Sequence, residues 1–110
     1  LEFINNTAGF RIINASWISR MFNDPAFVAA VKARFDSYYN EKAIIINHIE
    51  EMAEKNEKSA FENNKLWGGG LCDKNGSRET FDAAYNEQVS YVINWLSSRF
   101  EWLKTAYDAM

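Results

Sequence analysis

The 110-residue sequence has one cysteine, one proline and one histidine. With Cys72 alone there is no internal disulfide, no CxxC redox pair and no thiolate zinc site, so cysteine use does not name a compartment. Lys and Arg number 12 against 15 Asp and Glu, a formal net charge of -3. A nucleic-acid footprint needs the opposite, clustered cations over one face. No stretch approaches the roughly 20 apolar residues of a membrane span, and no signal-peptide pattern opens the chain. What is present is apolar: 47% hydrophobic residues, with 8 Phe, 5 Tyr and 4 Trp. That composition excludes disorder. The length suits one domain that buries roughly two-thirds of its surface without metals or disulfides. The chain opens on Leu1 and its first methionine is Met21, so the expectation is a piece of a larger protein or a processed product.

Periodicity predicts an all-α fold, a small irregular helical bundle of about four to five helices with a long closing helix and a Gly-rich loop before it. Residues 1–15 have no clear period and form an irregular lead-in. Ser16 is the expected N-cap of a short helix from Trp17 to Phe22. Asn23-Asp24-Pro25 sets a capping acid before a proline at the first helical position, where its missing N–H costs nothing. Val28, Val31, Phe35 and Tyr38 then recur at helical spacing, with a break near residue 40. The third helix is expected from about Glu41 to Asn56, burying Ile45, Ile49, Met52 and Ala53 and continuing through Leu66 after a bend. Glu51 with Lys55 and Glu54 with Lys58 stand in the favourable i,i+4 order. Residues 67–79 hold Gly68, Gly69, Gly70 and Gly76 and form a loop. Thr80 is the expected cap of the last helix, to about Asp108. Phe81, Tyr85, Val89, Val92, Ile93, Leu96, Phe100, Leu103 and Tyr107 occupy an arc of roughly 120° on it. Tyr91, Trp95 and Trp102 form a second stripe beside that arc.

The residues that carry chemistry elsewhere have no supporting pattern here. The triple glycine lacks the Lys and Ser/Thr of a P-loop and follows a helix rather than a strand. Asp73, Asn75, Ser77 and Glu79 alternate like a calcium loop, but the glycine sits at the fourth position instead of the sixth and Ala84 at the twelfth. His48 has no second imidazole or nearby cysteine, so a structural role is expected over a metal site. Cys72 as a nucleophile would need a base, and His48 is the sole imidazole. Carboxylates interspersed with lysines on the third helix describe a solvated face. No catalytic, cofactor-binding or metal-ligating residue is therefore assigned. Tryptophan beside arginine is the stronger signal, since the pair is enriched at protein contacts and also stacks within cores. It selects Trp17 with Arg20 on the first helix, and Tyr91, Trp95, Arg99 and Trp102 on the last, as contacts to another domain or a partner.

The segment Trp17-Ile-Ser-Arg20-Met-Phe22-Asn-Asp24-Pro25-Ala-Phe27, followed by Val31-Lys-Ala-Arg34-Phe35, resembles the W-x-x-R-L-F-x-D-P-x-F stretch of CotH-family proteins, the spore-coat protein H-like kinases. A second match lies in Glu62-Asn63-Asn64-Lys65-Leu66-Trp67. A third runs from Tyr85-Asn86-Glu87 to Asn94-Trp95-Leu96-Ser-Ser-Arg99-Phe-Glu-Trp102-Leu103, similar to that family's closing N-E-V…W-L-x-x-R-x-x-W-L helix. The resemblance implies an atypical protein kinase that uses ATP and a divalent metal to phosphorylate protein serines. It also implies a bacterial parent that is exported or on the cell surface. The family's ATP-contacting lysine and metal-binding aspartates belong upstream of the matched region, and no D-F-D-like motif stands in this sequence. No catalytic residue is carried over. The expectation is a C-terminal helical subdomain that braces an upstream catalytic domain of the same chain, with no cofactor of its own, no nucleic acid and no membrane span. The alternative is an independent helical module that binds a protein partner through its aromatic face.

Overall fold

The computed structural model describes residues 5–110. The first residues of the expected lead-in, 1–4, lie outside the described residues. The chain is all-α, with four helices among the described residues: α1 (Ser16–Met21), α2 (Pro25–Asn40), α3 (Lys42–Trp67) and α4 (Arg78–Asp108). It divides into two compact units. One runs to Ala43 and takes in Trp95–Met110; the other is Ile44–Asn94.

In the first unit, α2 starts where the sequence demands. Asp24 is extended, with φ -91° and ψ 115°, and its Oδ1 accepts the Ala26 amide at 2.9 Å, with Pro25 opening the helix. α1 differs at its start from expectation: Ala15 occupies the cap without a side-chain bond, and Ser16 is already helical. The core gathers around Phe100. The Phe35 ring lies 6.2 Å from Phe100 and 5.0 Å from Tyr107. Lys104 Nζ joins Asp36 of α2 to Asp108 one turn further along α4, at 2.9 and 2.8 Å. Those two carboxylates, Asp108 first, raise the pKa of Lys104. The Tyr39 hydroxyl donates to Glu101 Oε2 at 2.9 Å, and Lys42 pairs with the same carboxylate.

The second unit is an antiparallel hairpin of α3 and the N-terminal half of α4. Its direction follows from three crossings. The Tyr85 hydroxyl donates to the Ala53 carbonyl at 2.8 Å, Arg78 pairs with Glu57, and Phe61 meets Phe81 edge-on with centroids 5.2 Å apart. Phe81 is 1% exposed, stacked on its other side by Tyr85 at 5.6 Å. Arg78 also reaches Asp82 at 2.6 Å, and its guanidinium lies 4.7 Å from the Phe61 ring. The expected bend near Asn56 is absent, because α3 runs unbroken to Trp67. Neither expected i,i+4 pair closes; Glu62 and Lys65 instead form an i,i+3 ion pair within α3, at 2.8 Å.

Gly68 ends α3. Its amide bonds to the Asn64 carbonyl at 2.8 Å with φ +61°, and a Cβ there would stand 2.8 Å from Lys74 Cβ. Left-handed backbone and close approach both require glycine. The turn that follows is closed by Gly76 N to Asp73 O at 3.0 Å and by Asp73 Oδ1, which accepts the Asn75 amide at 2.7 Å. Ser77, not Thr80, caps α4: its Oγ accepts the Thr80 amide at 3.1 Å.

Candidate docking surface

Three of the six sequence-selected contact residues are held by the N-terminal segment. Trp95 Nε1 donates to the Asn5 carbonyl at 2.9 Å. Arg99 Nη1 donates to the carbonyls of Thr7 and Gly9, both at 2.7 Å. Gly9 takes φ +87° beside these bonds, backbone that favours glycine. The Trp102 ring lies 5.1 Å from the Arg99 guanidinium and meets Phe10 edge-on at 5.2 Å. All three α4 side chains are half-buried. Their spacing of four and three residues turns them to one side of the helix, where residues 5–10 lie across them. Burial lowers the Arg99 pKa, and the nearby Arg11 lowers it further. Two carbonyl dipoles stabilise the cation against that loss. Tyr107 is shifted upward by burial, opposed by Arg99.

The other three lie open. Trp17 is 67% exposed on α1, a helix with no buried residue. Arg20 is exposed one turn away, and Ile12 and Met21 add exposed apolar surface from the same stretch of chain. Tyr91 is half-exposed in the second unit. Trp17, Ile12 and Met21 were thus not used to build the core, although Trp17 is the largest side chain type available for it.

Sequence reasoning missed a second feature, a cleft of about 390 Å³ in the α3/α4 hairpin. Ile49 and Ala60 line it from α3, Leu71 from the loop, and Phe81, Val89 and Val92 from α4. Asn64, Asn63 and Gln88 supply polar atoms to it, and no charged side chain lines it among the described residues. The signal for it was the wide apolar arc of α4, which exceeds what α3 alone can cover. Cys72 sits beside the cleft, where Sγ accepts a 3.4 Å contact from Asn64 Nδ2. His48 is exposed on α3. Among the described residues no group of three or more His, Cys, Asp or Glu side chains gathers as metal ligands, and no helix is long and apolar enough to cross a membrane.

No family model, curated protein or solved structure matches the chain.

Proposed function

We propose that this chain is a non-catalytic helical module that docks on another protein surface, as the C-terminal brace of a CotH-like protein kinase. The observation that carries the docking role is Trp17, 67% exposed on a helix with no fully buried residue. An indole open to water, with Arg20, Ile12 and Met21 beside it, has the composition of an interface centre. The identity of the parent rests on the order and spacing of Trp17, Arg20, Phe22, Pro25, Trp67, Trp95, Arg99 and Trp102. In this reading the last three serve the brace from within, tying residues 5–10 to α4, while α1 meets the catalytic body. Phosphoryl transfer requires positioned metal, phosphate and acceptor groups, which the parent's upstream domain would supply along with ATP and a divalent metal.

Two measurements test this. Thermal unfolding of the chain is expected to be unmoved by ATP with magnesium; saturable stabilisation abolished by EDTA overturns the non-catalytic reading. Adding a CotH kinase body in trans is expected to shield Trp17 from acrylamide quenching, with the effect lost in Trp17→Ala. Quenching that stays unchanged at saturating kinase body removes the docking reading.

A further inference from the structure

The N-terminal segment, α1 and the end of α4 border a further cavity, of about 250 Å³, within the first unit. Ile13, Ile18, Phe22 and Leu103 give it hydrocarbon walls, and Arg11 and Arg99 give it charge. The chain carries 15 acidic residues, yet none of them lines this cavity among the described residues. Guanidinium groups beside apolar walls with no carboxylate in the same lining are costly, since the walls strip water from the charge.

Arg99 is held in place without being neutralised. Its Nη1 donates to the Thr7 and Gly9 carbonyls, both at 2.7 Å, and no carboxylate pairs with it among the described residues. Arg11 likewise donates from Nη2 to a backbone carbonyl, that of Asn6. The positive charge of Arg11 adds to burial in lowering the Arg99 pKa, so the two cations stand near enough to repel. An anion beside them offsets both the lost hydration and the repulsion. The carbonyl anchors also fix Arg99 before a ligand arrives, which lowers the ordering cost of binding.

Walls and charge together exclude the simpler occupants. A neutral hydrocarbon would displace water from the guanidinium groups and give no acceptor in return. A small inorganic anion would satisfy the cations and leave the apolar walls uncovered. A cavity of about 150 Å³ accommodates benzene, so this one, at about 250 Å³, takes an apolar body of about eight carbons. We infer that the cavity binds an amphipathic monocarboxylate, with its chain against Ile13, Ile18, Phe22 and Leu103 and its carboxylate on Arg11 and Arg99. Trp17 and Arg20 do not line the cavity, so the site stands or falls separately from the docking role of α1.

Octanoate titrated into the isotopically labelled chain tests this by NMR. Saturable amide shifts concentrated in residues 10–22 and 99–107 are expected, with a Kd of about 0.1–1 mM, as for about ten non-hydrogen atoms at moderate efficiency. 1-Octanol lacks the charge and acetate lacks the chain, and each is expected to bind at least about tenfold more weakly. Arg11→Glu reverses one charge at an exposed position and should weaken octanoate binding at least about tenfold, with helicity by circular dichroism retained. Trp17→Ala should leave the affinity unchanged. No saturable shift up to about 10 mM octanoate overturns the inference, as does equal affinity for 1-octanol or acetate, or an Arg11→Glu chain that binds octanoate as the wild type does. Shifts centred on Ile49, Phe81 and Val92 overturn it too, by placing the ligand in the α3/α4 cleft. The three probes are compared on the unaltered chain, so the test survives a variant that fails to fold.

Discussion

Phe81 meets Phe61 edge-on and stacks on Tyr85, with almost no surface left to water. Removing such a ring costs its transfer energy and leaves a cavity that helices pinned by Tyr85–Ala53 and Arg78–Glu57 close only partly. Phe81→Ala is expected to lose about 3–5 kcal/mol in urea unfolding, whereas Trp17→Ala should stay within about 0.5 kcal/mol, as for an exposed side chain without partners. Arg99 works differently, because it orders chain rather than filling space. Arg99→Ala leaves the carbonyls of Thr7 and Gly9 without their donor, and faster amide exchange over residues 7–10 with a red shift of tryptophan emission is the expected readout. The i, i+4, i+7 spacing of Trp95, Arg99 and Trp102 made a shared face legible. What covers that face was not legible, because Asn5 and Gly9 lie 90 residues from their partners, and helical periodicity carries information over a few turns at most.

Elements whose ends are fixed by their own side chains were the easiest to foresee. Asp24-Pro25 is a complete local instruction, and α2 starts there; Asp24→Ala is expected to cost about 0.5–2 kcal/mol by exposing the Ala26 amide. The unbroken path of α3 through Asn56 was less legible, since weak local propensity there is outweighed by contacts on both sides: Ala53 with Tyr85, Glu57 with Arg78 and Phe61 with Phe81. Between α4 and the junction of α2 with α3 the clamp is electrostatic. Lys42 first and Tyr39 second hold the Glu101 carboxyl below its ordinary range, and Glu101 raises Lys42 in return. A carboxyl lowered on folding stabilises above its unfolded pKa and loses that contribution as pH falls through the folded value. A lysine raised on folding contributes below its unfolded pKa and loses that contribution as pH rises through the folded value. The urea midpoint of wild type minus Glu101→Gln should therefore be positive near about pH 7 and shrink to nothing by about pH 2, below the ordinary carboxyl range. A difference that persists in acid would mean that the clamp acts through packing. Because the clamp is exposed to solvent, the difference should also narrow in high salt.

At the scale of the whole chain, α4 is one helix of 31 residues that serves two units. Its apolar arc was legible in the sequence, yet an arc has no mark along its length saying where one core ends and the next begins. The division becomes visible only through partners: Phe81 with Phe61 of α3, and Phe100 with Phe35 of α2. Those two rings are the buried apolar side chains among the described residues, one per unit. Small cores of this kind leave little stability to spare, since domains of this size are marginal to begin with. Local opening should then follow the ring that is removed. In native-state hydrogen exchange, Phe81→Ala is expected to raise exchange across α3 from about residue 49 to 61 and the first turns of α4, before α2 responds. Phe100→Ala should do the reverse, releasing α2 and the last turns of α4 first. Equal acceleration of α2 and α3 by both variants would mean that the continuous helix makes the chain one cooperative unit. Separate patterns would identify α4 as a shared strut between two independently opening cores.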